Sequence, residues 1–223
     1  MTHDLLDRLS TEDPEARYLA QGILQGSTAN VLRSLKAPGV GASLWQRRLP
    51  AGLLDWLDHL PAARLPALRA ECLALRDVTR VLERSFADAR TPDGPERRAF
   101  QADIEYLVGV FVDMFPVTRL NLRLDVIEND ACRRFHIDRL QARMLCTYRG
   151  EATQFALASG TQGTATDIMA QLGTGDVGLM RGTLWPGQEG SGVLHRSPPI
   201  SGTGQTRLLL VIDPWEERPT RFH

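Results

Sequence analysis

Apolar residues recur along the chain at two spacings, and the spacing changes near Pro116. Upstream, Leu65, Leu68, Leu75, Val78, Leu82 and Phe86 mostly follow three- and four-residue steps, which predicts one long helix over Ala63–Ala89 with Cys72 on its buried stripe. Thr91-Pro92-Asp93-Gly94-Pro95 ends that pattern as a turn. Phe100, Ile104, Leu107, Val108, Phe111 and Met114 then share one face of a second amphipathic helix. Shorter helices are expected from a Ser27 or Thr28 cap to Lys36, and from Pro50 to Leu60. Ala42–Leu49 reads as a strand with Trp45 inward. Downstream the period becomes two: Leu120, Leu122, Leu124 and Val126 alternate with Asn121, Arg123 and Asp125. Strands are also expected over Arg133–Asp138, Gln141–Tyr148, Ala152–Leu157, Asp176–Met180, Gly192–Arg196 and Thr206–Asp213. Twelve of the 19 glycines lie between Gly150 and Gly204, which marks this half as strands and turns. The pattern predicts an α+β protein whose mainly helical part, 1–115, packs on a jelly-roll part, 116–223, as one unit. Ser159–Thr166 reads as a loop and Pro214–His223 as a polar tail.

Composition narrows the classes. Hydrophobic residues at 43% and charged residues at 24% are those of a globular chain. The longest apolar runs, such as Leu208–Ile212, fall far short of the ~20 residues of a membrane span. Met1–Ser10 carries Asp4 and Asp7 and no secretory pattern, so a cytoplasmic location is expected. A net charge of -1, from 26 basic and 27 acidic residues, argues against a nucleic-acid or anionic-membrane partner. Lys36 is the only lysine and no motif supports lysine chemistry around it. Cys72, Cys132 and Cys146 make neither a disulfide framework nor a CxxC pair. Oligomeric state is left open.

The chemistry-bearing residues cluster late. His3 and His223 are near the termini, and His59, beside Asp58, reads as solvated. In Phe135-His136-Ile137-Asp138, His136 and Asp138 point to one side of a strand. His195 follows 57 residues after Asp138, in Val193-Leu194-His195-Arg196-Ser197-Pro198-Pro199. Each histidine alone reads as an ordinary strand or loop residue. Together His136, Asp138 and His195 predict a two-His, one-carboxylate face, which leaves half of an octahedral iron open. Twelve residues past His195, Arg207 opens an apolar strand, where a guanidinium can grip a carboxylate in a fork. Tyr148 is a second donor to that carboxylate, or else a packing aromatic. Thr147, Arg143, Arg123 and Ser197 are secondary candidates; the two arginines either line the barrel mouth or, the preferred reading, face solvent. Arg196 and Ser197 are expected to orient His195, and Trp185 to be a lid or plain packing. Cys132 shares parity with His136 and Asp138 if the strand runs that far, which with His195 gives a tetrahedral zinc set. The competing reading is a small core residue beside the Asn129-Asp130 turn. Cys146 is expected to be buried.

This arrangement resembles the Fe(II)/2-oxoglutarate-dependent oxygenases, which are built on a double-stranded β-helix. The resemblance covers about Val117–Asp213. It implies iron at His136, Asp138 and His195 and the 2-oxoglutarate 5-carboxylate at Arg207. A closer likeness rests on Cys132-Arg133-Arg134-Phe135-His136-Ile137-Asp138, Arg143-Met144-Leu145-Cys146-Thr147-Tyr148-Arg149-Gly150, Gly175-Asp176-Val177-Gly178-Leu179-Met180-Arg181-Gly182 and His195-Arg196-Ser197-Pro198-Pro199. These strings are similar to a bacterial family, domain-of-unknown-function family 1826. That family's glycine-rich stretch ending in Thr-Glu-Trp is here Glu151-Ala152-Thr153-Gln154-Phe155, which alters the expected substrate-side wall. Its members are thought of in connection with zinc homeostasis, so a non-enzymatic zinc-binding protein is the implied alternative. A cupin-like small-molecule binder is the third reading.

Overall fold

The computed structural model describes residues 13–158, 167–187 and 192–215. His3, the Met1–Ser10 and Ser159–Thr166 segments, and the tail beyond Trp215 with His223 lie outside the described residues. Among the described residues there are eleven strands: Arg17–Ala20 (β1), Ile23–Gly26 (β2), Ala42–Trp45 (β3), Leu68–Ala74 (β4), Arg119–Ile127 (β5), Ala142–Arg149 (β6), Gln154–Leu157 (β7), Ala170–Gln171 (β8), Val177–Arg181 (β9), Val193–Arg196 (β10) and Arg207–Pro214 (β11). The α-helices are Leu53–His59 (α1), Val78–Asp88 (α2) and Pro95–Met114 (α3). The strands form an eight-stranded sheet, in the order β1-β2-β3-β9-β6-β11-β5-β4, and a three-stranded sheet, β10-β7-β8.

Alternation along the central strands divides the interior in two. Leu120, Leu122 and Leu124 of β5, with Leu208, Leu210 and Ile212 of β11, meet Phe100, Ile104, Leu107, Phe111 and Met114 of α3 in one core. Leu209 and Val211 point the other way, into a second core with Leu145, Phe155 and Val193. All eight residues of β11 are buried because it is covered on both faces. The expected division at 115/116 falls between α3 and β5, and strands from both sides of it share the large sheet: β3 pairs with β9 and β4 with β5.

Four sequence expectations are corrected. The helix expected over Ala63–Ala89 is a 3-10 turn, strand β4, a second 3-10 turn and then α2. Its first half pairs with β5, Leu68 opposite Leu124 and Leu73 opposite Leu120, with a bulge between Ala70 and Leu73. Tertiary pairing at the sheet edge overrides a helical spacing built from few apolar residues. Cys72 sits in that bulge with φ 54, half-buried, its N–H donating to Asn121 Oδ1 at 3.1 Å, and is not part of the core. The Ala29–Lys36 helix is 3-10, and Thr28 does not cap it; the Thr28 N–H and hydroxyl donate instead to buried Asp13. Arg133–Asp138 is no regular strand but a turn leading to a single bridge at His136.

Candidate metal centre and adjoining cavity

The site begins with that bridge. His136 and His195 are opposed in antiparallel fashion, each N–H donating to the other's carbonyl at 3.0 Å. Directly opposed residues send their side chains to one face, and the two rings stand 4.5 Å apart between centroids. Asp138 follows two residues later. Its Oδ2 is 3.1 Å from His195 Nε2 and its Oδ1 3.6 Å from His136 Nε2. The three ligand atoms lie within 4.8 Å of one another. His136 Nδ1 lies 2.8 Å from the Arg134 carbonyl, which only accepts. Nδ1 therefore carries a proton; the protonated ring also donates from Nε2 toward Asp138, and the neutral ring has its Nε2 lone pair free for a metal.

Two further contacts hold Asp138, one at its backbone and one at its carboxylate. The Thr183 N–H donates to the Asp138 carbonyl at 2.8 Å. This clasp needs Gly182, where a Cβ would fall 2.0 Å from the Leu140 carbonyl oxygen. Arg143 donates Nη1 to Asp138 Oδ2 at 2.6 Å and grips Asp213 with Nε and Nη2 at 2.7 Å each. Burial alone would raise the Asp138 pKa, but donors from His136 and His195 and the Arg143 charge hold it well below the usual carboxylate range. Asp138 raises the His136 pKa, whereas burial lowers that of His195.

The histidines and Arg143 line a cavity of about 370 Å³. Register arranges its sheet wall in rows. Arg69, Arg123, Val211 and Leu145 stand side by side across β4, β5, β11 and β6. Asp125, Leu209 and Thr147 form the next row, and Ile127 and Arg207 the one beyond. Arg207 is fully buried. Its Nε donates to the Glu151 carbonyl at 2.5 Å, while Nη1 and Nη2 have no hydrogen-bond partner. Gly150, at φ 76, makes the turn that carries Glu151 there, with a Cβ position 3.0 Å from Arg207 Cγ. Desolvation lowers the Arg207 pKa to about 10. The buried Thr147 hydroxyl also lacks a partner.

The family model described as "Protein of unknown function (DUF1826)" matches residues 26–213. The chain belongs to this family. The match spans β2 to β11 and contains His136, Asp138, Arg143, His195 and Arg207. No curated protein matches the DUF1826 chain. Among solved structures it is similar to the rice dioxygenase for auxin oxidation, at 14% identity over 84% of this chain and 76% of that one, with a TM-score of 0.49. The Arabidopsis thaliana dioxygenase for auxin oxidation 1, solved as its 2-oxoglutarate complex, is 10% identical over 79% and 76% of the two chains, with a TM-score of 0.45. A Pseudomonas putida prolyl-4-hydroxylase is 14% identical over 85% and 99%, with a TM-score of 0.43.

In this DUF1826 protein the expected residues separate into two groups. His136, Asp138 and His195 come together beside the small sheet, and Arg207 lies on the inner face of the large sheet. Tyr148 does not join them. Regular alternation along β6 sets Tyr148 with Met144 and Cys146 on the α3 side, and the bulge beyond it, where Leu208 faces Arg149 and Leu209 faces Thr147, brings Arg149 to that side as well. There its hydroxyl donates to Asp103 at 2.5 Å and its ring meets Phe100 edge-on. Thr147, one residue earlier, holds the inward position instead. Cys132 is neither a core residue nor a fourth ligand: it is exposed, at φ 59 in the turn, and outside the His136–Asp138–His195 group. Arg143 and Arg123 face the cavity rather than solvent. Arg196 and Ser197 turn to other partners than His195: Arg196 donates to Gln154 and stacks on Phe135, and the Ser197 N–H donates to the Cys132 carbonyl. Trp185 packs on Phe115 under the Arg181 guanidinium and does not line the cavity beside the histidines. Cys146 is buried, its thiol pushed up to about 12 by desolvation, and His59 bonds its own helix at the Asp55 carbonyl. Asp213 went unnoticed as a site residue; its inward parity with Arg207 is the one signal that marks it. Among the described residues, no helix is long and apolar enough to cross a membrane.

Proposed function

We propose that the chain is an Fe(II)- and 2-oxoglutarate-dependent oxygenase on a double-stranded β-helix. The winding supports the architecture. From β5 onward the chain passes to the His136 bridge, β6, β7 and β8, β9, β10 and β11, alternating between large and small sheets. The observation that carries the function is Arg207. A fully buried guanidinium with two unpartnered nitrogens is an expensive arrangement unless an anion completes it. It lies on the same sheet face as the cavity holding a two-His, one-carboxylate group. An acid with a chelating 2-oxo group at one end and a carboxylate at the other satisfies both. The donor set fits iron: two imidazoles and one carboxylate, with no fourth ligand in the group among the described residues.

Iron bound there would couple loss of CO2 from 2-oxoglutarate to its oxidation by O2 to succinate, with the second oxygen atom inserted into a substrate C–H bond. The protein's own part is positional. Arg143 occupies one oxygen of Asp138 and keeps the carboxylate ionised. Arg207, with Thr147 beside its row, anchors the far carboxylate. Leu145, Leu209 and Val211 give the cavity an apolar wall that keeps water from the reacting carbons. The deciding experiment is anaerobic addition of Fe(II) and 2-oxoglutarate. A visible charge-transfer band, followed on aeration by succinate formation, is the expected result. Absence of 2-oxoglutarate binding to the metal-loaded protein would refute the assignment.

A further inference from the structure

The cavity wall carries a second cationic row besides Arg207. We propose that Arg123, flanked by Arg69, binds the anionic group of the primary substrate, an organic acid or phosphate monoester with an apolar body. This inference rests on the assignment of Arg207 to the co-substrate.

Distance separates the two anchors. Arg123 stands opposite Val211, four residues along β11 from Arg207, which at ~3.4 Å per residue is about 14 Å of strand. The carbon chain of 2-oxoglutarate has four C–C bonds of ~1.5 Å and spans at most ~6 Å. One molecule of it, chelated at the metal and held by Arg207, leaves the Arg123 row to another ligand.

Charge gives that ligand its sign. Among the described residues the cavity is lined by Arg69, Arg123, Arg143 and Arg196, with Asp125 as the only acid. Arg143 is already engaged by Asp138 and Asp213, and Arg196 by Gln154. Asp125 accepts a 2.9 Å hydrogen bond from Arg69 and lies 3.4 Å from Arg123. One carboxylate thus serves two guanidiniums, leaving one positive charge in excess. The Arg123 side chain is 27% exposed. A planar fork at that position suits a carboxylate or phosphate. Val211 and Leu145 continue the same row toward Arg143, so an anion seated at Arg123 lays its apolar body along them, toward the metal group.

The test uses the full chain loaded with Mn(II) and saturated with 2-oxoglutarate under anaerobic conditions. Octanoate, octyl phosphate and the neutral octanamide are titrated calorimetrically. At least one of the two anions is expected to bind tenfold or more tightly than the amide, and the tighter one assigns carboxylate or phosphate. Arg123→Gln should bring anion and amide within about threefold of each other while changing 2-oxoglutarate affinity less than twofold; Arg69→Gln should give a smaller loss. Equal binding of anion and amide, no binding of either anion, or discrimination that survives Arg123→Gln overturns the proposal. If 2-oxoglutarate itself fails to bind the wild type, the oxygenase assignment fails instead. The same titration without it then reports whether Arg123 discriminates anions on its own.

Discussion

Replacing Arg143 by Met tests the ion triad beneath the metal group. Arg143, Asp138 and Asp213 have side chains only 16%, 17% and 8% exposed, and three hydrogen bonds of 2.6–2.7 Å join them. Methionine keeps the packing of the stem but leaves two carboxylates without their cation. Removing one partner of a buried pair costs ~3–5 kcal/mol. For a chain of this size each kcal/mol shifts Tm by ~2–4 °C, so the metal-free variant should melt roughly 6–20 °C below wild type at neutral pH. Adding Asp213→Leu should recover part of the loss, because one of the stranded charges goes with it. The pH dependence has a definite sign. The Asp138 pKa is depressed in the folded protein, so its contribution is complete above the ordinary carboxylate value of ~4 and fades as pH falls below it. The gap between wild type and Arg143→Met should therefore narrow in acid. A variant that loses under ~1 kcal/mol by denaturant titration, or a gap that widens in acid, would refute the triad's role.

Arg207→Met should move stability and binding in opposite directions: a higher Tm for the metal-free protein, because an unpaired buried guanidinium is removed, and at least tenfold weaker 2-oxoglutarate binding by calorimetry. Gly182→Ala must displace the Leu140 or Asp138 backbone. It should cost ~1–3 kcal/mol in thermal unfolding and weaken metal binding in a competitive chelator titration. Metal binding requires unprotonated imidazoles, and Asp138 raises the His136 pKa above its ordinary value of 6.5. Apparent metal affinity should therefore climb with pH through a midpoint above 6.5, and His136→Gln should flatten that part of the profile.

Period-two alternation in Val117–Glu128 and Thr206–Asp213 was readable because each strand separates two different cores, so every residue's face has consequences. Leu65 to Phe86 was misread for the opposite reason. Its apolar residues serve a bulged edge strand and a helix in succession, and their steps imitate one period. His136, Asp138 and His195 could be grouped from spacing and residue type. Tyr148 could not be placed, because parity sets it apart from Thr147 without saying which of them faces the cavity. The β6–β11 register decides this, setting Thr147 opposite Leu209 and Cys146 opposite Leu210, and it has no local signature. Arg143 and Arg123 were assigned to solvent on the ordinary behaviour of charged residues. Only the partners that the fold brings to them, Asp213 and Asp138 for one and the cavity for the other, reverse that assignment.

Strand β11 shows why the site is tied to the whole fold rather than to a loop. Its residues alternate between the helix-facing core and the inner face, and Arg207, Leu209, Val211 and Asp213 share the inner one. They are, in order, the buried cation, two apolar wall residues and the acid that holds Arg143. A one-residue slip would drive Arg207 and Asp213 among Phe100, Phe111 and their neighbours, and would bring Leu208, Leu210 and Ile212 to the cavity. Two charges stranded in an apolar core make that register far costlier than the native one. The same burial that makes Arg207 available to an anion therefore also enforces the register that puts it there.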